Sequence, residues 1–128
     1  MSKEAQYEIE IVNTSTMILE KAIDRLLKEL KGQLLKTANF RIYQNRQIDV
    51  KGICIKLPGM CYPVDVYVDE NRKLIVNGDS MDIRMVAGKI QQFYEATEYS
   101  MAHKVPMVYN QKTREVELLL EVPLYANC

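Results

Sequence analysis

The sequence predicts an α+β domain, a two-layer sandwich in which a largely antiparallel sheet carries two helices on one face. Three observations predict it. Residues 53–68 alternate apolar and polar side chains with period two around Leu57-Pro58-Gly59-Met60. Two longer stretches place apolar residues at helical spacing. The elements run in the order βαββββαββ, each with a single apolar side, and two layers bury all those sides at once. With 128 residues and 48% hydrophobic content, a single domain spanning 1–128 is expected, with residues 1–5 and 124–128 fraying.

Tyr7, Ile9 and Ile11 alternate with Glu8, Glu10 and Val12, which reads as a first strand. Asn13-Thr14-Ser15-Thr16 breaks it and supplies helix N-caps. The first helix should run from about Thr16 to Leu30, because Leu19, Ile23, Leu26, Leu27, Leu30 and Leu34 form one stripe. Asp24–Lys28 and Arg25–Glu29 have the i, i+4 spacing of surface ion pairs. Gly32 either ends this helix or lies inside a longer one reaching Leu35.

Phe40, Ile42 and Tyr43 suggest a second strand. The central hairpin comes next. Pro58 then Gly59 suit a type II turn, and pairing Leu57 with Met60 sorts the side chains cleanly. Ile53, Ile55, Leu57, Met60, Tyr62, Val64, Val66 and Val68 then face the core. Cys54, Lys56, Cys61, Pro63, Asp65 and Tyr67 take the other face. A slip of one residue would mix the two sets. Two-residue hairpins prefer primed turns, so a longer loop is the alternative here.

Asp69-Glu70-Asn71-Arg72 makes the next turn, with Asn71 the residue suited to positive φ. Leu74, Ile75 and Val76 form a strand, and Asp79 or Ser80 can cap the helix after it. That second helix should run from about Met81 to Ala102, its stripe being Ile83, Val86, Ala87, Ile90, Phe93, Tyr94, Thr97 and Met101. Pro106 places the strand at 105–109 at an edge or a strand start. Val116, Leu118, Leu120 and Val122 alternate with Glu115, Glu117, Leu119 and Glu121 in a last strand with an acidic outer row.

Composition excludes several function classes. The 17 basic and 17 acidic side chains cancel, which gives no electrostatic footprint for a polyanion. Tyr43, Tyr67, Arg41, Arg46 and Lys56 could assemble a nucleic-acid patch, but the acidic rows Glu8/Glu10 and Glu115/Glu117/Glu121 argue against a broad one. No apolar run approaches the about 20 residues that span a bilayer. Met1-Ser2-Lys3-Glu4 has no signal-peptide pattern, so a cytoplasmic protein is expected. The odd count of three cysteines implies no closed disulfide framework.

The chain resembles a domain-of-unknown-function family with hypothetical cyanobacterial, algal plastid and phage members. The resemblance rests on the element order and on Val64-Asp65-Val66-Tyr67-Val68 with Lys73-Leu74-Ile75-Val76. It also rests on Ile90-Gln91-Gln92-Phe93-Tyr94 with Glu117-Leu118-Leu119-Leu120. It implies the fold and brings no activity or site.

Little catalytic chemistry is written in the residues. His103 is the only histidine, at the expected end of a helix where a cation suits the dipole. A nucleophile at Cys54 or Cys61 would need His103 brought across the fold. Those three residues lack zinc-site spacing and a fourth ligand. Asp65, Asp69, Glu70, Asp79 and Asp82 cluster in sequence, but turns and caps explain Asp69, Asp79 and Asp82 without a cation. There is no phosphate loop or dinucleotide fingerprint. No cofactor or metal is expected.

The sequence therefore points to a small non-enzymatic binding or adaptor protein. It would contact another protein, or a second copy, through an open sheet face or an edge strand. A phage or mobile-element accessory protein would have this size and this lack of a site. The sheet's outer face, with Tyr43, Cys54, Lys56, Cys61, Asp65 and Tyr67, is the expected contact surface. The rival is a small enzyme using Cys, His and acidic residues around the central hairpin.

Overall fold

A computed structural model describes the backbone of residues 4–42 and 46–120 and the side chains of residues 5–35 and 52–120. The element order is that expected from the sequence: β1 (Glu4–Ile9), α1 (Thr16–Leu30), β2 (Gln33–Ile42), β3 (Arg46–Lys56), β4 (Val64–Val68), β5 (Leu74–Asp79), α2 (Ile83–His103), β6 (Met107–Asn110) and β7 (Glu115–Leu118). Five strands form an antiparallel sheet in the order β1-β5-β4-β3-β2, and β6 pairs with β7 separately. The chain meanders from β2 to β5, and β1 closes the far edge beside β5. Within the 1–5 stretch expected to fray, Glu4 and Ala5 pair with Asp79 and Gly78. Residues 1–3, Tyr43 and 124–128 lie outside the described residues.

Alternation sets the core. Ile9, Ile55, Val64, Val66, Val68, Leu74 and Val76 project from one face of the sheet into a single buried cluster with both helices. Leu19, Ala22, Ile23 and Leu26 enter it from α1, and Ile83, Val86, Ala87, Ile90, Phe93 and Tyr94 from α2. Burying a large aliphatic side chain contributes about 1.5–3 kcal/mol, so this cluster dominates the fold's stability. Tyr94 adds a polar tie, since its hydroxyl accepts the Ser15 N–H at 2.8 Å and joins the start of α1 to α2.

α1 starts where Ser15 Oγ accepts the Ile18 N–H at 3.3 Å, a standard N-cap bond. Lys31 then takes a left-handed conformation, and the Gly32 N–H reaches back to Leu27 C=O at 2.9 Å. That stop removes Leu34 from the helix stripe predicted for it and places it in β2, more than half exposed. A Cβ at Gly32 would sit 2.7 Å from the Cδ2 atoms of Leu27 and Leu57, so those side-chain ends would have to move. The surface pairs form as expected, Arg25–Glu29 at 2.9 Å and Lys28–Asp24 at 3.3 Å.

The central hairpin keeps its predicted faces but not its predicted register. Ile55 stands opposite Val64 and Ile53 opposite Val66, so the pairing is offset by two residues from the Leu57–Met60 scheme. The turn itself is as expected: Met60 N–H bonds Leu57 C=O at 3.2 Å and Gly59 has φ +88°. The chain then runs on through Cys61, Tyr62 and Pro63 before β4 begins. An even offset preserves which side each residue faces, which is why the core assignment survives. Tyr62 is the exception, exposed in the loop instead of buried.

The β4–β5 turn corrects another assignment. Arg72, not Asn71, takes positive φ (63°), in a three-residue loop closed by Arg72 N–H to Asp69 C=O at 3.0 Å. Asp69 Oδ1 accepts the N–H groups of both Asn71 and Lys73, at 2.9 and 2.8 Å.

The β6–β7 hairpin is not a continuation of the sheet. It leans on the helices instead: Arg25 donates to Met107 C=O at 3.0 Å, and the Phe93 and Tyr109 rings lie 5.7 Å apart. Lys89 reaches Arg114 C=O, and the Gln92 and Glu115 side chains bond each other.

Candidate functional site

The sheet face away from the helices is the contact surface expected from the sequence, and the structure alters that picture. Cys54, Asp65 and Asn77 stand side by side across β3, β4 and β5, with Tyr67 and Ile75 in the next row. This face is not open at its centre. Tyr67 is 1% exposed, Ile75 3%, Cys54 7% and Asn77 8%. Gly52, directly opposite Tyr67, has no side chain to compete with the phenol for space on that face. Burial pushes the Tyr67 hydroxyl pKa above its usual 10.0, and the nearby Asp69 and Asp65 carboxylates push it further. Of the predicted contact residues, Cys61 is exposed, Lys56 and Asp65 are half-buried, and Cys54 and Tyr67 are withdrawn from solvent. Alternation tells which residues share the face. It cannot tell that they are covered.

The residues of the rival enzyme do not converge. His103 ends α2, which packs on the opposite side of the sheet from Cys54, and its ring lies 4.1 Å from that of Tyr99. Cys61 stands apart in the loop before β4, exposed where Cys54 is buried, and neither thiol is in a disulfide. Asp69 and Asp79 spend their carboxylates on local backbone N–H groups, Asp79 Oδ1 accepting from Met81 at 2.8 Å. Among the described residues no three His, Cys, Asp or Glu side chains gather where they could hold a metal ion.

The edge of the sheet at β1 is differently placed. Its hydrogen-bonding polarity is set by the β4–β5 turn. Asp69 N–H donates to Lys73 C=O at 2.9 Å, which makes 69–73 a hydrogen-bonded pair. Bonded and non-bonded pairs alternate along an antiparallel ladder. Tyr67–Ile75 and Asp65–Asn77 are therefore bonded pairs, and Leu74, Val76 and Gly78 turn their backbone groups the other way, toward β1. There they meet Ile9, Tyr7 and Ala5. Gln6 and Glu8 consequently direct their N–H and C=O groups outward, where no strand pairs with them among the described residues.

The side chains along this edge divide in two. Gln6, Glu8 and, just beyond the strand, Glu10 are exposed. Gln6 and Glu8 lie on the same face as Asn77 and Ile75, their neighbours in β5. Tyr7 lies on the helix face, 38% exposed, two residues from the buried Ile9. Lys73 approaches Glu8 at 3.6 Å, a half-exposed pair of the kind that contributes little. What this arrangement can do chemically is recognise an extended backbone.

No protein-family model, curated protein or solved structure matches the chain. Among the described residues no helix is long and apolar enough to cross a membrane.

Proposed function

We propose that the protein is a non-enzymatic binding module that takes up a strand of a partner protein along β1. The observation that carries this reading is the pair of outward-facing backbone groups at Gln6 and Glu8 on a regular edge strand. Edge strands are ordinarily blunted by Pro, Lys, bulges or inward charges. β1, Glu-Ala-Gln-Tyr-Glu-Ile, has no Pro, Gly or Lys, and its register with β5 is continuous. In strand addition the main chain supplies affinity and alternate side chains supply selectivity. The burial of Tyr67 and Cys54 on the second face supports an edge contact over one made through that face.

Gln6→Pro tests the reading. Proline removes an N–H that β5 does not use, so the ladder inside the protein is kept while the outward donor is lost. Fluorescence anisotropy with a labelled peptide of alternating threonine and valine, about eight residues long to match a typical strand, should show binding to the unaltered protein and none to Gln6→Pro. Equal binding by both proteins would refute the edge reading.

A further inference from the structure

Resting on that reading of β1, we infer the chemistry of the strand it takes: a segment of another protein that alternates basic and apolar residues, the basic ones on the side of Gln6 and Glu8. Glu8 and Glu10 are exposed at this edge, and among the described residues the one ion pair there is Lys73 with Glu8, at 3.6 Å. Opposite charges on directly facing residues stabilise a strand pair and like charges weaken it. Asn77, the β5 neighbour of Gln6, lies on the same face. It is 8% exposed, and its buried Oδ1 has no hydrogen-bond partner among the described residues. Exposed carboxylates beside an edge call for donors, and Lys and Arg side chains are donors only. On the opposite side the incoming strand meets Tyr7 and Ala5, which favour apolar side chains.

The same geometry disfavours a second copy of this chain. Because the outward groups belong to even-numbered residues, a two-fold antiparallel β1–β1 pairing must match even positions with even positions. Centred on Gln6, it sets Glu4 opposite Glu8. Centred on Tyr7, it sets Glu4 opposite Glu10. Centred on Glu8, it sets Glu8 against itself. Each of these three registers faces acid with acid.

The test uses three labelled peptides of about eight residues, alternating valine with lysine, threonine or glutamate. Anisotropy titrations would be run at low and at moderate salt. The lysine peptide should bind about tenfold more tightly than the glutamate peptide, with the threonine peptide between them and the gap narrowing as salt screens the charges. A Glu8→Lys/Glu10→Lys double variant should reverse the order. If all three peptides bind alike and Gln6→Pro abolishes every one of them, the charge inference is wrong and the edge reading stands. If the peptides bind Gln6→Pro as they bind the unaltered protein, the edge reading itself is wrong. Sedimentation showing a concentration-dependent dimer that Gln6→Pro dissolves would overturn the choice of a foreign strand over a second copy.

Discussion

β1 and β2 terminate the same sheet at opposite edges. β1 holds one register against β5 from Glu4↔Asp79 to Ile9↔Leu74 without a break. β2 slips twice against β3, between Leu34 and Lys36 and again between Asn39 and Arg41. Bulges of this kind twist a strand and interrupt its row of backbone groups, which is one way proteins stop an edge from recruiting another chain. The difference supports the proposed reading: the register shifts in β2 interrupt its row of backbone groups, while β1 keeps a continuous register. Among the described residues no metal-ligating cluster gathers, and the proposed contact rests on the main chain instead. Main-chain donors and acceptors of this kind are not displayed by composition or motifs.

The largest loss is expected at Tyr7. Its N–H is assigned to the β5 ladder, so Tyr7→Pro should destabilise the fold by about 3 kcal/mol in chemical denaturation, through a lost ladder bond and imposed φ. Gln6→Pro, one residue away, should cost less than about 1 kcal/mol, since its N–H points outward. Equal losses for the two variants would mean that the alternation along β1 is assigned wrongly. Gly78→Ala ranks next. A Cβ there would lie 2.7 Å from Val64 Cγ1, so β5 must shift against β4. Overpacking of this sort costs about 1–3 kcal/mol, and the displaced β5 should loosen β1 as well, visible as faster amide exchange at Tyr7. Tyr94→Phe should remove about 1 kcal/mol by leaving the Ser15 N–H without its acceptor.

The smallest effect concerns the covered face. The Tyr67 hydroxyl has a raised pKa, so the folded state holds its proton more tightly than the unfolded chain does. Its contribution is fully present below the unfolded value of 10.0 and is lost as pH rises through the folded value. Stability should therefore fall at alkaline pH, and Tyr67→Phe should flatten that part of the profile. Identical alkaline profiles for both proteins would show that Tyr67 is wetter than its 1% exposure indicates.

Much of the fold is legible in the residues because period two and period 3.6 are imposed by backbone geometry. The alternation from Ile53 to Val68 identifies the core face even though the pairing is offset by two residues, since an even offset leaves every side chain on its own side. The assignments that fail depend on single backbone choices. Lys31 turns left-handed and ends α1 before Leu34. Arg72 takes the positive φ expected of Asn71. Cys61, Tyr62 and Pro63 lengthen the hairpin loop. The candidate site is less legible for a different reason. Alternation puts Tyr67 and Cys54 on the correct face, but burial there depends on tertiary cover that a strand pattern does not encode. The outward polarity of Gln6 and Glu8 emerges only once β1 is known to lie beside β5 and the 69–73 bond fixes the phase of the ladder.

Amide hydrogen exchange along β1, read residue by residue by NMR, tests the central claim most directly. Ala5, Tyr7 and Ile9 should be protected, and Gln6 and Glu8 should exchange rapidly until the lysine–valine peptide is added, when their protection should rise. Gln6 and Glu8 as strongly protected as Tyr7 in the free protein would show that the edge is already covered, and would contradict strand uptake along β1.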